Sequence, residues 1–253
     1  MELLFLGTGA ADFLPSLQDK DRFTVDKNIR RCTMTLLDQT TLIDCGPHLM
    51  DALQIHKANK EKIENVLVTH SHSDHFRADS LQALALGRET PLHVWHNEEL
   101  SMPEVENVVF HPMHIGTACQ IDKWKVTPLR ANHMMGAVHF DITDGEKTMF
   151  YGCDGAWLIL DTYNYMKDKQ YDLMIMDATV GDYEGDFRMA EHNSIPMIRS
   201  MLKSFHTVKI ATEKTKIVLD HLARTLHKPH EETCRIVEED GFIVAYDGMT
   251  MQL

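Results

Sequence analysis

A chain of 253 residues, 43% of them hydrophobic, is long enough for one large domain around a sizeable core, since α/β and two-sheet folds often run to ~250 residues undivided. Its formal net charge of −13 argues against non-specific binding to nucleic acid or to an anionic membrane, both of which need a basic face. Five scattered cysteines (Cys32, Cys45, Cys119, Cys153, Cys234) without a Cys-x-x-Cys spacing read as reduced thiols. With no leader pattern and no run near the ~20 apolar residues of a transmembrane helix, the expectation is a soluble cytoplasmic protein.

Leu3 to Leu6 reads as a strand that breaks into Gly7-Thr8-Gly9, a spacing that serves a tight turn more often than an anion cradle. Residues 14–31 are polar and mixed and read as a loop over one rim. Residues 32–37 and 41–44 form a hairpin around Asp38-Gln39, and Asp44 is placed to support a metal-bound imidazole or to cap a turn. Apolar residues at Leu49, Ala52, Leu53 and Ile55 predict a helix over 48–60, with His48 and His56 at its surface.

The most informative stretch follows. Val66-Leu67-Val68 is a buried strand by its β-branched and aliphatic content. The chain then offers His70-Ser71-His72-Ser73-Asp74-His75. In an extended loop His70 and His72 point the same way and can share one cation, while Asp74 and His75 are expected to open a helix over 76–84 and face a second. Three imidazoles and a carboxylate suit Zn²⁺, Mn²⁺ or Fe²⁺.

Strands follow at 92–95 and within 105–111, with His93, His96, His111 and His114 read as non-ligands. The strand over 125–129 leads to His133, and strands over 137–142 and 147–151 pair across Asp144-Gly145 and end before Asp154. A helix is predicted over 157–169, a strand over 171–176 ending at Asp177, and a Gly- and acid-rich loop over 180–191. Asn193 or Ser194 caps a helix over 195–205, and the strand 216–220 delivers His221. The remainder reads as a helix over 224–240, broken at Pro229, and a last hairpin over 241–253 around Asp247-Gly248. No sequence repeat stands out.

The pattern His-x-His-x-Asp-His after a strand resembles that of the metallo-β-lactamase-fold hydrolases. The resemblance implies a single domain over 1–253, an αββα sandwich of two packed mixed sheets flanked by helices, and two divalent cations, zinc or manganese ahead of iron. It assigns one cation to His70, His72 and His133 and the other to Asp74, His75 and His221, with Asp154 between them. Asp74 counts also among the catalytic residues.

The order Asp177-Ala178-Thr179, His192-Asn193-Ser194 and Asp220-His221 resembles the phosphodiesterase branch, which includes ribonuclease Z. There His192 would protonate the leaving oxygen and Asp177 would orient it. Gly7-Thr8-Gly9, Leu42-Ile43-Asp44, Val126-Thr127-Pro128-Leu129, Asn132-His133, Met174-Ile175-Met176-Asp177 and Asp247-Gly248-Met249 extend the resemblance to the cyclic-phosphate phosphodiesterases of carbon–phosphorus lyase pathways. Two departures matter: residues 14–31 lack the cysteines of that group's structural zinc loop, and residues 177–192 are too short for the RNA-gripping arm of ribonuclease Z, which with the net charge of −13 argues against transfer-RNA processing.

The implied activity is hydrolysis of a small, cyclic phosphodiester, with Arg77, Arg130 and Arg224 as candidate phosphate contacts. Long nucleic acid and membranes are not expected partners, and the oligomeric state stays open, a homodimer included. Alternatives are a carbonyl hydrolase (lactone, thioester or β-lactam), a mononuclear iron oxidoreductase, and a metal-binding protein without catalysis.

Overall fold

A computed structural model describes residues 1–12 and 22–253. The part of the 14–31 loop over 14–21 lies outside the described residues, and 22–31 is irregular. The chain divides into two compact units, Met1–Met113 with Tyr246–Gln252, and His114–Ala245 with Leu253.

The first unit holds β1 (Glu2–Gly7), β2 (Met34–Leu37), β3 (Thr41–Ile43), β4 (Asn65–Val68), β5 (Leu92–Asn97) and β6 (Val108–Met113), with α1 (Leu49–Ile55) and α2 (Ala78–Ala85) between strands. The second holds β7 (Cys119–Ile121), β8 (Trp124–Arg130), β9 (Val138–Thr143), β10 (Thr148–Gly152), α3 (Leu160–Met166), β11 (Leu173–Asp177), α4 (Ile195–Val208), β12 (Lys216–Asp220), α5 (His230–Ile236) and β13 (Ile243–Val244). β14 (Thr250–Gln252) returns to the first.

Each unit carries a seven-stranded mixed sheet, ordered β14-β1-β2-β3-β4-β5-β6 and β7-β8-β9-β10-β11-β12-β13. Both follow one plan. Four strands pair antiparallel, and from the fourth onward the pairing is parallel: β3 to β6 in one sheet, β10 to β13 in the other. Most of the parallel strands are rich in buried apolar residues, as expected where helices cover the sheet, although β5 also carries His93, His96 and Asn97. In the first unit Leu53, Leu81 and Leu84 of α1 and α2 pack with Leu42, Val66, Val68 and Val94. In the second, Ile195, Ile198, Leu202 and Phe205 of α4 pack with Met174, Met176, Ile217 and Leu219.

Several expectations change. Gly7 ends β1 instead of making a tight turn; a Cβ there would strike the Cys32 carbonyl, so glycine permits a close backbone approach. α1, α3 and α5 are shorter than predicted. α5 starts after Pro229, since the residue before a proline is disfavoured in helical geometry. β7 was not expected, and the final hairpin does not form: β13 pairs with β12, and β14 with β1. The β2–β3 hairpin turns through Asp38 and Gln39, both with positive φ. Ser194 caps α4, its Oγ accepting from the Met197 N–H at 3.3 Å. Among the described residues no helix is long and apolar enough to cross a membrane.

Candidate functional site

In the first unit the site grows from the carboxyl ends of β3 and β4. Asp44 follows β3 in a left-handed conformation (φ +64) and is fully buried. One carboxylate oxygen accepts from the Thr69 N–H at 2.8 Å; the Thr69 hydroxyl lies 2.9 and 2.8 Å from the two oxygens, and His75 Nδ1 is 2.7 Å from the second. Because a carboxylate only accepts, His75 carries its proton on Nδ1 and presents Nε2 with a lone pair. The Thr69 hydroxyl, donating to Asp44, accepts from His70 Nδ1 at 3.0 Å and leaves His70 Nε2 in the same state.

The His70 ring lies 4.7 Å from that of His72 and 4.3 Å from that of His75. Asp74 is buried, its Oδ2 3.5 Å from His75 Nε2. Asp74 and His75 do not open a helix as expected. They lie in a turn closed by the His75 and Phe76 N–H groups on the His72 carbonyl, 3.0 and 2.9 Å, and α2 begins only at Ala78. The Cys45 N–H holds this turn through the His75 carbonyl at 2.7 Å.

In the second unit His133 follows β8, Asp154 follows β10, Asp177 ends β11 and His221 follows β12. Asp154 and His221 both have positive φ, 56° each. The Thr179 hydroxyl donates to the His221 carbonyl at 2.9 Å and accepts from His221 Nδ1 at 2.7 Å, which leaves the His221 lone pair on Nε2. His133 Nδ1 donates to the Glu191 carbonyl at 3.1 Å, and His133 Nε2 lies 3.6 Å from Asp154 Oδ2. His221 Nδ1 is 3.0 Å from Asp154 Oδ1.

Asp177 and His192 meet as the sequence predicted. His192 Nδ1 donates to Asp177 Oδ2 at 2.8 Å and lies 3.3 Å from Asp154 Oδ1. The Asp177 carboxylate also accepts from the Gly155 N–H at 3.1 Å and the Thr179 N–H at 2.8 Å. Burial acts to lower the His192 pKa, but the carboxylates of Asp177 and Asp154 outweigh it and hold the imidazole up to about 11. Asp154, Asp177, His192 and His221 each offer one atom within 4.8 Å of the others.

These residues fit divalent cations on the chemistry of the donors. Four imidazoles (His70, His75, His133, His221) have Nδ1 committed to an acceptor, the arrangement by which a second layer of hydrogen bonds orients metal-ligating histidines. Buried carboxylates of Asp74 and Asp154 accompany them. His72 is exposed.

Three supporting residues escaped the sequence reading. Thr69 and Thr179 set imidazole tautomers, and a hydroxyl residue just past a buried strand was their only local signal. His139 lies fully buried on β9, with Nε2 3.3 Å from the Asp154 carbonyl; burial pushes its pKa down to about 4, so it is neutral. A Cβ at Gly155 would come within 2.6 Å of that Nε2. His48 and His56 are half-buried rather than at the surface: His48 Nδ1 accepts from the Cys32 N–H, and His56 packs on Gly248. Arg77 is exposed and bound through two hydrogen bonds to Asp79, Arg130 is half-buried and Arg224 exposed.

Ribonuclease Z from Thermococcus onnurineus is 29% identical over 98 residues, 38% of this chain and 28% of that protein. Ribonuclease Z from Methanococcus aeolicus is 27% identical over 154 residues, 60% and 42% of the respective lengths. The chain thus aligns with less than half of the length of either relative. Among solved structures, the metallo-β-lactamase fold protein YhfI from Bacillus subtilis superposes with a TM-score of 0.74 at 17% identity, covering 99% of this chain and 98% of that one. The short form of human tRNase Z gives 0.69 at 20% identity, covering 100% and 99%. Zn²⁺-bound PqqB from Methylobacterium extorquens gives 0.67 at 16%, covering 100% of both. The family model of the beta-lactamase superfamily domain matches residues 39–236. With two seven-stranded mixed sheets and their helices in this order, the chain belongs to the β-lactamase superfamily and has the metallo-β-lactamase fold.

Proposed function

We propose that this protein is a metal-dependent hydrolase of small phosphodiesters, cyclic phosphates among them. His70, His72, Asp74, His75, His133, Asp154 and His221 together are assigned as the ligands of its two divalent cations, zinc or manganese. When bound, such cations polarise a phosphoryl oxygen and lower the pKa of water. The side chains do the rest. Asp44, Thr69, Thr179 and the Glu191 carbonyl hold four imidazoles with Nε2 outward.

The observation that carries the phosphodiesterase reading is the His192–Asp177 pair. Asp177 holds the His192 Nδ1 proton and leaves Nε2–H to be given to a departing alkoxide. Asp154 adds to the charge that keeps His192 protonated only while its own charge is uncompensated. Similarity to two ribonucleases Z supports the same class of bond. The net charge of −13 and the short segment 177–192 favour small substrates over long RNA.

The test is an assay of metal-reconstituted protein on bis(p-nitrophenyl) phosphate beside a lactone and a thioester. Diester turnover is expected, reduced by roughly 10²- to 10⁴-fold in His192→Ala with both metals retained. Turnover of the lactone or thioester alone would overturn the reading in favour of a carbonyl hydrolase.

A further inference from the structure

The segment that carries His192 also walls a cleft of ≈ 320 Å³ in the second unit, lined by Trp157, Val180, Tyr183, Met189 and Met197. The link to His192 is direct in the backbone. The His192 N–H donates to the Arg188 carbonyl at 2.8 Å, the Val180 N–H donates to the Asn193 carbonyl at 3.0 Å, and Ser194 itself lines the cleft. Trp157 and Tyr183 remain 38% and 48% exposed. Two large, partly exposed rings thus border a concave, largely apolar space, as in many small-molecule sites.

The size and charge of the cleft select among occupants. Its volume is at the lower end of small-molecule sites. Two carboxylates, Glu184 and Asp186, lie in its lining. Asp186 is matched by Arg188, whose Nη1 lies 3.0 and 2.8 Å from its oxygens, which leaves the Glu184 side as an acceptor. Such a lining repels a phosphate or a carboxylate and accommodates an uncharged ring with amine donors on its edge.

We propose that this cleft binds the nucleobase of a nucleotide-type phosphodiester, stacking it on Trp157 and Tyr183 while His192 faces the leaving oxygen. The assignment rests on the phosphodiesterase reading for the position of the phosphate. It stands on its own for the ring. It makes nucleoside cyclic phosphates better substrates than the same diester on a bare ribose.

The test separates the two readings. Trp157 is the exposed reporter of three tryptophans, since Trp124 is fully buried and Trp95 is stacked on His111. Adenosine, which has no diester to cleave, is expected to quench fluorescence saturably, with ribose silent and the change abolished in Trp157→Phe. Tyr183→Ala, a substitution at an exposed side chain, should weaken adenosine binding by about tenfold or more, as loss of a stacking partner does. In turnover, Tyr183→Ala should lower the ratio of kcat/KM for a nucleoside 2′,3′-cyclic phosphate to that for ribose 2,3-cyclic phosphate, mainly through KM.

Absence of quenching, or quenching equal in wild type and Tyr183→Ala, would overturn the base site whatever the enzyme hydrolyses. Quenching that depends on Tyr183, in a protein that turns over no diester, would support the base site and remove only the phosphodiesterase reading.

Discussion

Replacing Asp44 by Asn tests how the fold prepares its histidines for metal. Asp44 accepts from three donors at once: the Thr69 N–H at 2.8 Å, the Thr69 hydroxyl, and His75 Nδ1 at 2.7 Å. An amide of the same shape has one oxygen and one NH₂ group. With its oxygen toward Thr69 it turns N–H against the His75 Nδ1–H; flipped, it turns N–H against the Thr69 N–H. Either orientation leaves one buried donor unsatisfied, at about 1–3 kcal/mol. His75 can escape only by moving its proton to Nε2, the nitrogen assigned to the cation.

Asp44→Asn should therefore lower the urea stability of the metal-free protein by about 1–3 kcal/mol and weaken one of the two proposed metals by roughly 10- to 100-fold. Competition with a chromophoric chelator measures the second effect, with both stoichiometric steps resolved. Asp44→Asn binding both metals as tightly as wild type, at unchanged stability, would refute the claim that Asp44 sets the His75 tautomer.

Three further outcomes are expected. The folded-state pKa of His192 is raised from 6.5 to about 11, against burial, by Asp177 and Asp154. Its contribution is therefore fully present below about pH 6.5 and lost as pH rises toward 11. Urea midpoints of metal-free wild type and His192→Gln should converge between about pH 6 and pH 10, and a gap that widens with pH would contradict the assignment. In Gly46→Ala the new Cβ would land on the Asp74 carbonyl, backbone against which no side chain can yield. A loss of about 1–3 kcal/mol, with reduced metal uptake by elemental analysis, is expected; wild-type values for both would show the 74–75 turn to be freer than it looks. In Asp247→Ala, Arg31 loses the buried carboxylate that accepts from its Nη1 at 3.1 Å and its N–H at 2.7 Å. The uncompensated guanidinium should cost about 3–5 kcal/mol by urea unfolding, and a loss under about 1 kcal/mol would count against it.

Much of this protein was readable locally. The buried run Val66-Leu67-Val68, the paired left-handed residues Asp38-Gln39 and the Ser194 cap each carry their own short-range physics, and each element forms where expected. Where the reading failed, the deciding partner was remote. Asp247-Gly248 has the chemistry of a hairpin turn, but the Asp247 carboxylate is taken by Arg31 and Thr8, 216 and 239 residues away. β13 and β14 then find different sheets. The shared plan of the two sheets is also invisible in the residues, because strand order constrains hydrophobic pattern and not identity. Only in the structure do Asp44 after β3 and Asp154 after β10 occupy matching places, each leaving the last antiparallel strand with positive φ.

The donors themselves, their order and their places just past strand ends were determined by the sequence, since a buried apolar run followed by polar residues ends a strand wherever it occurs. Which nitrogen His75 and His221 present was decided only by tertiary structure. His75 is set by a carboxylate 31 residues away and His221 by a hydroxyl 42 residues away. The physical reason is that a tautomer follows the hydrogen-bond partner, and folding brings that partner in from another strand.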